Sequence, residues 1–326
     1  MISLKTLISA AILSCAVSVA QAEVRVVGVA TNTAGSLYYS VGTAVAEVMQ
    51  NKGGITTRVQ PMSGSSAYAP LINRGEIEFG LMNAIDVVNA FTGVDNFEGR
   101  KNPDLRLVGV MFALPIGIAV PNDSPAKSIK DLKGVRMPSE FTAQSTIRAV
   151  QNAVLATGGI STGDMEHFPV ANYVKGMRAL GEGKVDAALM CVGCAAAREV
   201  NVALASHGGM RFLPLSDSAE SAAAMRKVFP SAYFKIFQPS QANTAVIVPT
   251  RLMVYSAFLA TSSHVPDALV YKTTKAIYEN KKGLVATSAP MKSFDPAMMA
   301  ETNTVPYHPG AEKFYKEIGQ WPPKGR

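Results

Sequence analysis

Apolar positions in this chain follow two spacings. Short continuous apolar runs predict buried strands, and between them apolar residues recur every three or four positions, as on a helix with one buried face. Residues 24–30 form the first apolar run. After a glycine-containing loop at 32–36, Leu37, Val41, Val45, Val48 and Met49 share one helical face, and Gly53 and Gly54 stop that helix. A strand over 57–60, a serine-rich loop, a helix near 66–73 and a strand over 77–82 complete a β-α-β-α-β order. The order recurs with a strand at 134–137, a helix over 145–157 stopped by Gly158 and Gly159, a strand over 164–170, a helix over 172–180 and a strand over 185–190. At the same step of both strings, GEIEFGLM (75–82) matches GKVDAALM (183–190). The repeat predicts two similar α/β lobes and puts Asn83 and Cys191 at equivalent strand ends. Two more apolar runs are expected to join the lobes: 105–120, broken near Pro115, and 244–248 as the return crossing. The expected division is a leader of 1–22, a discontinuous first lobe of 23–114 with 245–326, and a second lobe of 115–244.

The first residues change how the rest is read. A basic start ending at Lys5, an apolar stretch over 6–20 and the A-x-A pattern of Ala20 to Ala22 predict a signal peptide cleaved before Glu23. The apolar stretch is shorter than the roughly 20 residues a membrane span needs, and a lipoprotein reading at Cys15 fits less well. No later run is long enough to span a bilayer, so the expected product is exported to the periplasm. Export leaves Cys191 and Cys194 as a C-x-x-C pair in a compartment that permits disulfides. One pair with dispersed histidines is not a zinc signature. Structural, pocket-lining and redox roles all stay open for it.

With 48% hydrophobic and 17% charged residues in 326, the chain has the apolar surface for a real core, which excludes a disordered tail or a disulfide scaffold. The formal charge is +7, but lysines and arginines are scattered singly. No nucleic-acid partner is expected; the basicity hints at most at an anionic partner or ligand.

In open α/β sheets, ligands collect beyond the carboxyl ends of strands, where helix N-termini present free N–H groups. The loops at 31–39, 63–66, 83–86, 139–146 and 191–194 hold that position. They are rich in neutral hydroxyls: Ser36, Ser63, Ser65, Ser66, Ser145 and Thr146, with Tyr38 and Tyr39 adjacent. Any one of these is read as an ordinary N-cap. Their clustering at the ends of two lobes points to a small-molecule site whose neutral donors suit a carboxylate. Candidate ligand-binding residues are Asn32, Ser36, Tyr38, Tyr39, Ser63, Ser65, Ser66, Asn83 and Asp86 on the first lobe, and Ser139, Gln144, Ser145, Thr146, Cys191 and Gly193 on the second. Neither a metal nor a cofactor is expected. Catalytic signatures are missing: there is no G-x-S-x-G, H-E-x-x-H, Walker or dinucleotide glycine pattern. The formal S-x-x-K at Ser124 to Lys127 lies in a turn with Pro125, and His167, His207, His264 and His308 have no triad partners nearby in sequence.

Motifs along the whole expected mature chain resemble the TAXI family of TRAP-transporter solute receptors. TAGSLYY at 33–39 is similar to that family's G-T-x-G-x-Y-Y loop, followed by SGSS at 63–66 and RGEIEFG at 74–80. DLKG at 131–134 resembles its opening of the second lobe, and VDAA at 185–188 with Gly193 its second-lobe strand and turn. AIYEN at 276–280 and HPGAEKFYKEIG at 308–319 are similar to its tail. The resemblance implies a type II periplasmic binding-protein fold, with two α/β lobes around a cleft. It also implies a receptor that closes on a small organic acid or amino acid and docks on TRAP permease subunits without spanning the membrane. There are departures. The family's glycine-rich second-lobe loop reads EFTAQST at 140–146, with Glu140 and Gln144 for small residues and Ser145 for a glycine, and Cys194 replaces a proline. Delivery of the ligand to a membrane sensor kinase, and a secreted hydrolase built from dispersed residues, are the rival readings.

Overall fold

The structure is a computed structural model and describes residues 26–324; the expected leader lies outside them. Strand β1 (Val27–Thr31) leads to helix α1 (Leu37–Asn51), then β2 (Thr57–Pro61), α2 (Ser65–Asn73), β3 (Phe79–Asn83) and α3 (Ala84–Thr92). The long β4 (Leu105–Pro121) follows. The second series is β5 (Arg136–Glu140), α4 (Thr146–Ala156), β6 (Glu166–Val170), α5 (Tyr173–Gly181), β7 (Ala188–Cys191) and α6 (Ala195–Ala203). Then come β8 (Met210–Phe212), α7 (Ala219–Val228), β9 (Tyr233–Phe237) and the long β10 (Thr250–Ser262). The chain ends in α8 (Asp267–Glu279), α9 (Lys281–Thr287) and α10 (Pro309–Glu317). No helix among the described residues is long and apolar enough to cross a membrane.

The strands follow from the pattern of burial. β1, β3 and β7 are buried on both faces, as their uninterrupted apolar runs require. The main sheet has eight strands in the order β2-β1-β3-β10-β4-β7, with β8 beside β4 and β9 beside β10. β2, β1 and β3 are parallel, and β10 runs antiparallel to both β3 and β4. β5 and β6 form a separate parallel pair. β4 and β10 are paired from Leu105 against Ser262 to Ile116 against Met253, with two register shifts that add local twist.

Two expectations about the connections are corrected. The run at 105–120 is not broken at Pro115 but continues as one strand. The Pro115 carbonyl faces β7 and accepts from Val192 N, just beyond the last β7 residue, so the N–H that proline lacks falls where the ladder has already ended. The return crossing is not 244–248, which contains no strand and leaves Ile247 and Val248 more than half exposed. It is β10, whose longer apolar run can remain buried through the whole sheet.

Near the C-terminus, α10 packs on α8 through a backbone contact that only glycine permits. His308 caps α10, its Nδ1 accepting from Gly310 N at 3.1 Å while Nε2 lies 2.9 Å from the Val265 carbonyl. This pairing places the imidazole proton on Nε2, and burial holds its pKa below the usual histidine value. A Cβ on Gly310 would stand 2.3 Å from the Asp267 carbonyl oxygen and 2.9 Å from Tyr271 N. Alanine normally stabilises a helix relative to glycine, so the sign of the effect tests the contact. Gly310→Ala is expected to destabilise by about 1–3 kcal/mol, read in urea as a lower midpoint at unchanged slope. A midpoint that stays or rises rejects the contact.

Candidate functional site

The central strand pair brings the ends of both strand-helix series to one place. Asn83, the last residue of β3, is opposite Ala257 of β10; Cys191, the last of β7, is opposite Ile116 of β4; and Tyr255 pairs with Leu114 between them. The equivalence of Asn83 and Cys191 inferred from the internal repeat is therefore structural: both end their strands, and both line one small buried cavity. Asn32, Ser36, Tyr38, Gln144, Tyr173 and Tyr255 complete most of its wall, and no Lys or Arg is among its lining residues. Its volume is about 10 Å³, the space of roughly one water. Ligand pockets usually hold about 300–1,000 Å³, so a solute enters only if the two sides part.

Local sequence explains how each polar group arrives. Ser36 caps α1, accepting from Tyr39 N at 3.1 Å, which sets Tyr38 one residue into the helix and turns its ring edge-on to Phe112 at 5.2 Å. Asn83 caps α3 by accepting from Asp86 N at 2.7 Å, and its Nδ2 donates to Asp86 Oδ2 at 2.7 Å. Helix α2 is preceded by Gly64, which has no side chain to cap with, and Ser65 donates its hydroxyl to Asp86 Oδ2 instead. Tyr68 donates to the Asn32 side chain and the Leu81 carbonyl. Across the cleft, Gln144 Oε1 accepts from Tyr173 N at 3.0 Å. A Cys191–Cys194 disulfide joins the end of β7 to the cap of α6.

Both sides touch. Asn96 donates to Ser66 Oγ and to Thr146 Oγ1, each at 2.8 Å, and Ala196 N donates to the Gly35 carbonyl at 3.2 Å. Gly64 lies so close to Gln144 that a Cβ would stand 2.6 Å from Gln144 Cγ.

Electrostatically the site is dominated by burial. Asp86 is 1% exposed, and loss of hydration pushes its pKa up to about 6, although hydrogen bonds from Ser65, Thr146 and Asn83 hold it down in part. Its Oδ1 has no protein partner and neither has the Tyr173 hydroxyl, while the Tyr38 hydroxyl faces that of Tyr255. Burial also raises the Tyr38, Tyr173 and Tyr255 pKa values, so all three remain protonated. Buried polar groups ordinarily find partners. The unpartnered atoms of Asp86 and Tyr173 leave hydrogen-bonding capacity free beside one cavity.

Of the residues singled out from sequence, Asn32, Ser36, Tyr38, Asn83, Gln144 and Cys191 line the cavity, and Ser65, Asp86 and Thr146 adjoin it. Ser66 joins through Asn96. Tyr39, Ser63 and Ser145 are half-buried, and Ser145 makes no capping bond with its side chain. Ser139 is buried in β5, with its hydroxyl unpartnered. Gly193 faces a different cavity, and Glu140 is exposed and not among the residues lining the small one. Sequence reasoning missed Tyr173, Tyr255 and Asn96. Tyr173 opens α5 as Tyr38 does α1 one residue further in, a parallel that offered a signal. Tyr255 sits inside an apolar run and looked like core. Among the described residues, no group of three His, Cys, Asp or Glu is placed to hold a metal ion.

The NMT1-like family profile matches residues 29–319 of the chain. A solved structure described as a periplasmic transporter is 14% identical, covering 91% of this chain and 93% of that one, with a TM-score of 0.54. The chain therefore has the mixed α/β, two-lobed fold of periplasmic binding proteins. Also similar are the substrate-binding protein of an amino acid ABC transporter (13% identity; 83% and 99% covered; TM-score 0.49) and the periplasmic aliphatic sulphonate binding protein SsuA from Escherichia coli (14%; 91% and 79%; TM-score 0.47).

Asp86 sets a pH signature. Its folded pKa of about 6 lies above the ordinary 3.8, so the folded chain keeps a proton that the unfolded chain releases. Stability from this group is present below pH 3.8 and lost as pH rises to about 6. His308, with its lowered pKa, slopes the other way, so the difference from a variant is the readout. Asp86→Asn is expected to gain on the wild type between these pH values, reaching on the order of 3 kcal/mol at neutral pH. Denaturant titrations at several pH values that give a constant difference reject it.

Proposed function

The chain belongs to the NMT1-like family, and from that membership we propose that it is a periplasmic solute receptor. In this reading it captures a small organic acid, a carboxylate or an amino acid, and delivers it to the membrane subunits of a TRAP-type transporter driven by an ion gradient. One observation carries the proposal: unpartnered buried polar groups from both strand-helix series meet at a single cavity beyond the strand ends. The chemistry suits an acid that also carries a donor. The hydroxyls of Tyr38 and Tyr173 remain protonated and donate to a carboxylate. Asp86 Oδ1 accepts from an ammonium, or donates when protonated. The leader-like first residues, the binding-protein fold and the lack of a spanning helix among the described residues support the periplasmic location. The TAXI-like motifs support TRAP subunits as the partner, and no nucleic acid takes part.

Capture works by hinge closure. The lobes are taken to divide within β4 and β10, which join them, so that the second boundary lies in β10 rather than at 245. Bending falls at Ala113 to Ile116 of β4 and the opposing Met253 to Ser256 of β10, level with Tyr255. A solute shifts the open–closed equilibrium only by binding one state more tightly, here through groups that both lobes must supply.

Thermal melting of residues 23–326, unfolded and refolded to strip bound solute, tests the reading against mono- and dicarboxylates, amino acids and aromatic acids. A true solute at 100 times its Kd adds about 2.7 kcal/mol. Tyr38→Ala, Ser65→Ala and Asn83→Ala are each expected to weaken its binding by about 1.5–3 kcal/mol. Full affinity in all three variants rejects the site, and no shift with any acid rejects the organic-acid reading.

A further inference from the structure

A second cavity, much larger than the first, lies beside the central strand pair. Its volume is about 440 Å³, within the range of sites that take a small molecule. Val110 to Ala113 and Pro115 of β4 and Val254 of β10 form one side. Opposite lie the segment from Val192 to Arg198, strand β9 and the short 3-10 turn Ala289–Ser293 with Phe294 beyond it. The aromatic lining comes from Phe112, Tyr233, Phe237 and Phe294.

Its charge is what sets this cavity apart. Arg198, Lys235 and Lys292 all line it, whereas the inter-lobe cavity has no basic lining residue. Among the described residues, the cations that form ion pairs include none of the three. Arg198 gives one N–H to the Gly193 carbonyl at 2.6 Å, and Lys235 stands 5.8 Å from the Phe237 ring centre. The one acid in the lining, Asp295, accepts from Ala297 N at 3.0 Å. Cations outnumber acids by three to one on an apolar, aromatic wall.

We propose that this cavity is a second binding site, for a small amphipathic anion: an aromatic ring system bearing a carboxylate or sulfonate. The rings supply the buried contact area. The cations select the sign of charge, since each exposed ion pair adds only about 0.2–1 kcal/mol. An occupant rests on β4 and β10 together and on the turn that ends at Cys194, so it touches the strands where the lobes join. The site shares Leu37 with the solute cavity but no polar lining residue, and it does not depend on the identity of that solute.

The test is a fluorescence titration of the mature chain with 8-anilinonaphthalene-1-sulfonate, an aromatic sulfonate that brightens in apolar sites. One saturable site is expected. Lys235→Ala with Lys292→Ala should weaken it about tenfold, and the paired arginine substitutions should restore it to within about twofold. The uncharged N-phenyl-1-naphthylamine should bind at least about tenfold more weakly to the wild type, and 0.5 M salt should weaken the sulfonate. Both lysines are exposed, so the double variant is expected to fold, with its melting curve as the check. The proposal is overturned by equal affinity in the paired alanine variant or by equally tight binding of the uncharged analogue. A titration with no saturable site overturns it as well, whatever the acid panel shows.

Discussion

The antiparallel pairing of β4 with β10 is the constraint on which the rest of the molecule depends. Each strand is too long to belong to one lobe, and each is buried along almost its whole length. β10 carries the parallel strands of the first series on one side through β3, and β4 carries β7 on the other. Their register decides which side chains meet. Tyr255 opposite Leu114, Ala257 opposite Asn83 and Ile116 opposite Cys191 bring groups from distant parts of the chain to one cavity. A slip by one residue would turn Tyr255 to the other face, and the wall of the site would be lost while the fold class survived.

What the register assembles is not the most stable arrangement available. A carboxylate oxygen of Asp86 and the Tyr173 hydroxyl are buried unpartnered, and each such atom costs free energy that an apolar side chain would not. Asp86 is held by Ser65 and Asn83 on one oxygen and left open on the other. Other unpartnered atoms lie singly elsewhere, at Ser221, Thr273 and Gln320, but around this cavity they come from both strand-helix series, which supports the binding reading.

The two cavities divide their chemistry sharply. One is small and polar, with neither acid nor base in its lining and Asp86 beside it; the other is larger, aromatic and cationic. Gly193, between the disulfide-bonded cysteines, lines the second while Cys191 lines the first. A change in the Cys191–Cys194 turn is therefore felt on both sides of the central strands.

Much of this was legible in the chain itself. The alternation of apolar runs with helical spacing placed the strands and helices of both series to within a few residues, because burying a strand on two faces or a helix on one leaves a local pattern. The repeat around Gly75 and Gly183 identified Asn83 and Cys191 as equivalent ends. The loops at strand ends held most of the polar groups around the cavity, because helix caps have a local composition too. Pairing between strands far apart in sequence leaves no comparable trace. Local sequence could not tell that Pro115 would be absorbed at the end of a ladder, that the return crossing would be β10, or that Tyr255 would face a site from inside a core-like run. Nor could it tell that serines suited to capping would divide, Ser36 to its helix and Ser65 to Asp86. Local pattern determined the elements and their order. Only tertiary packing decided their neighbours, because strand register and burial depend on which distant surfaces meet.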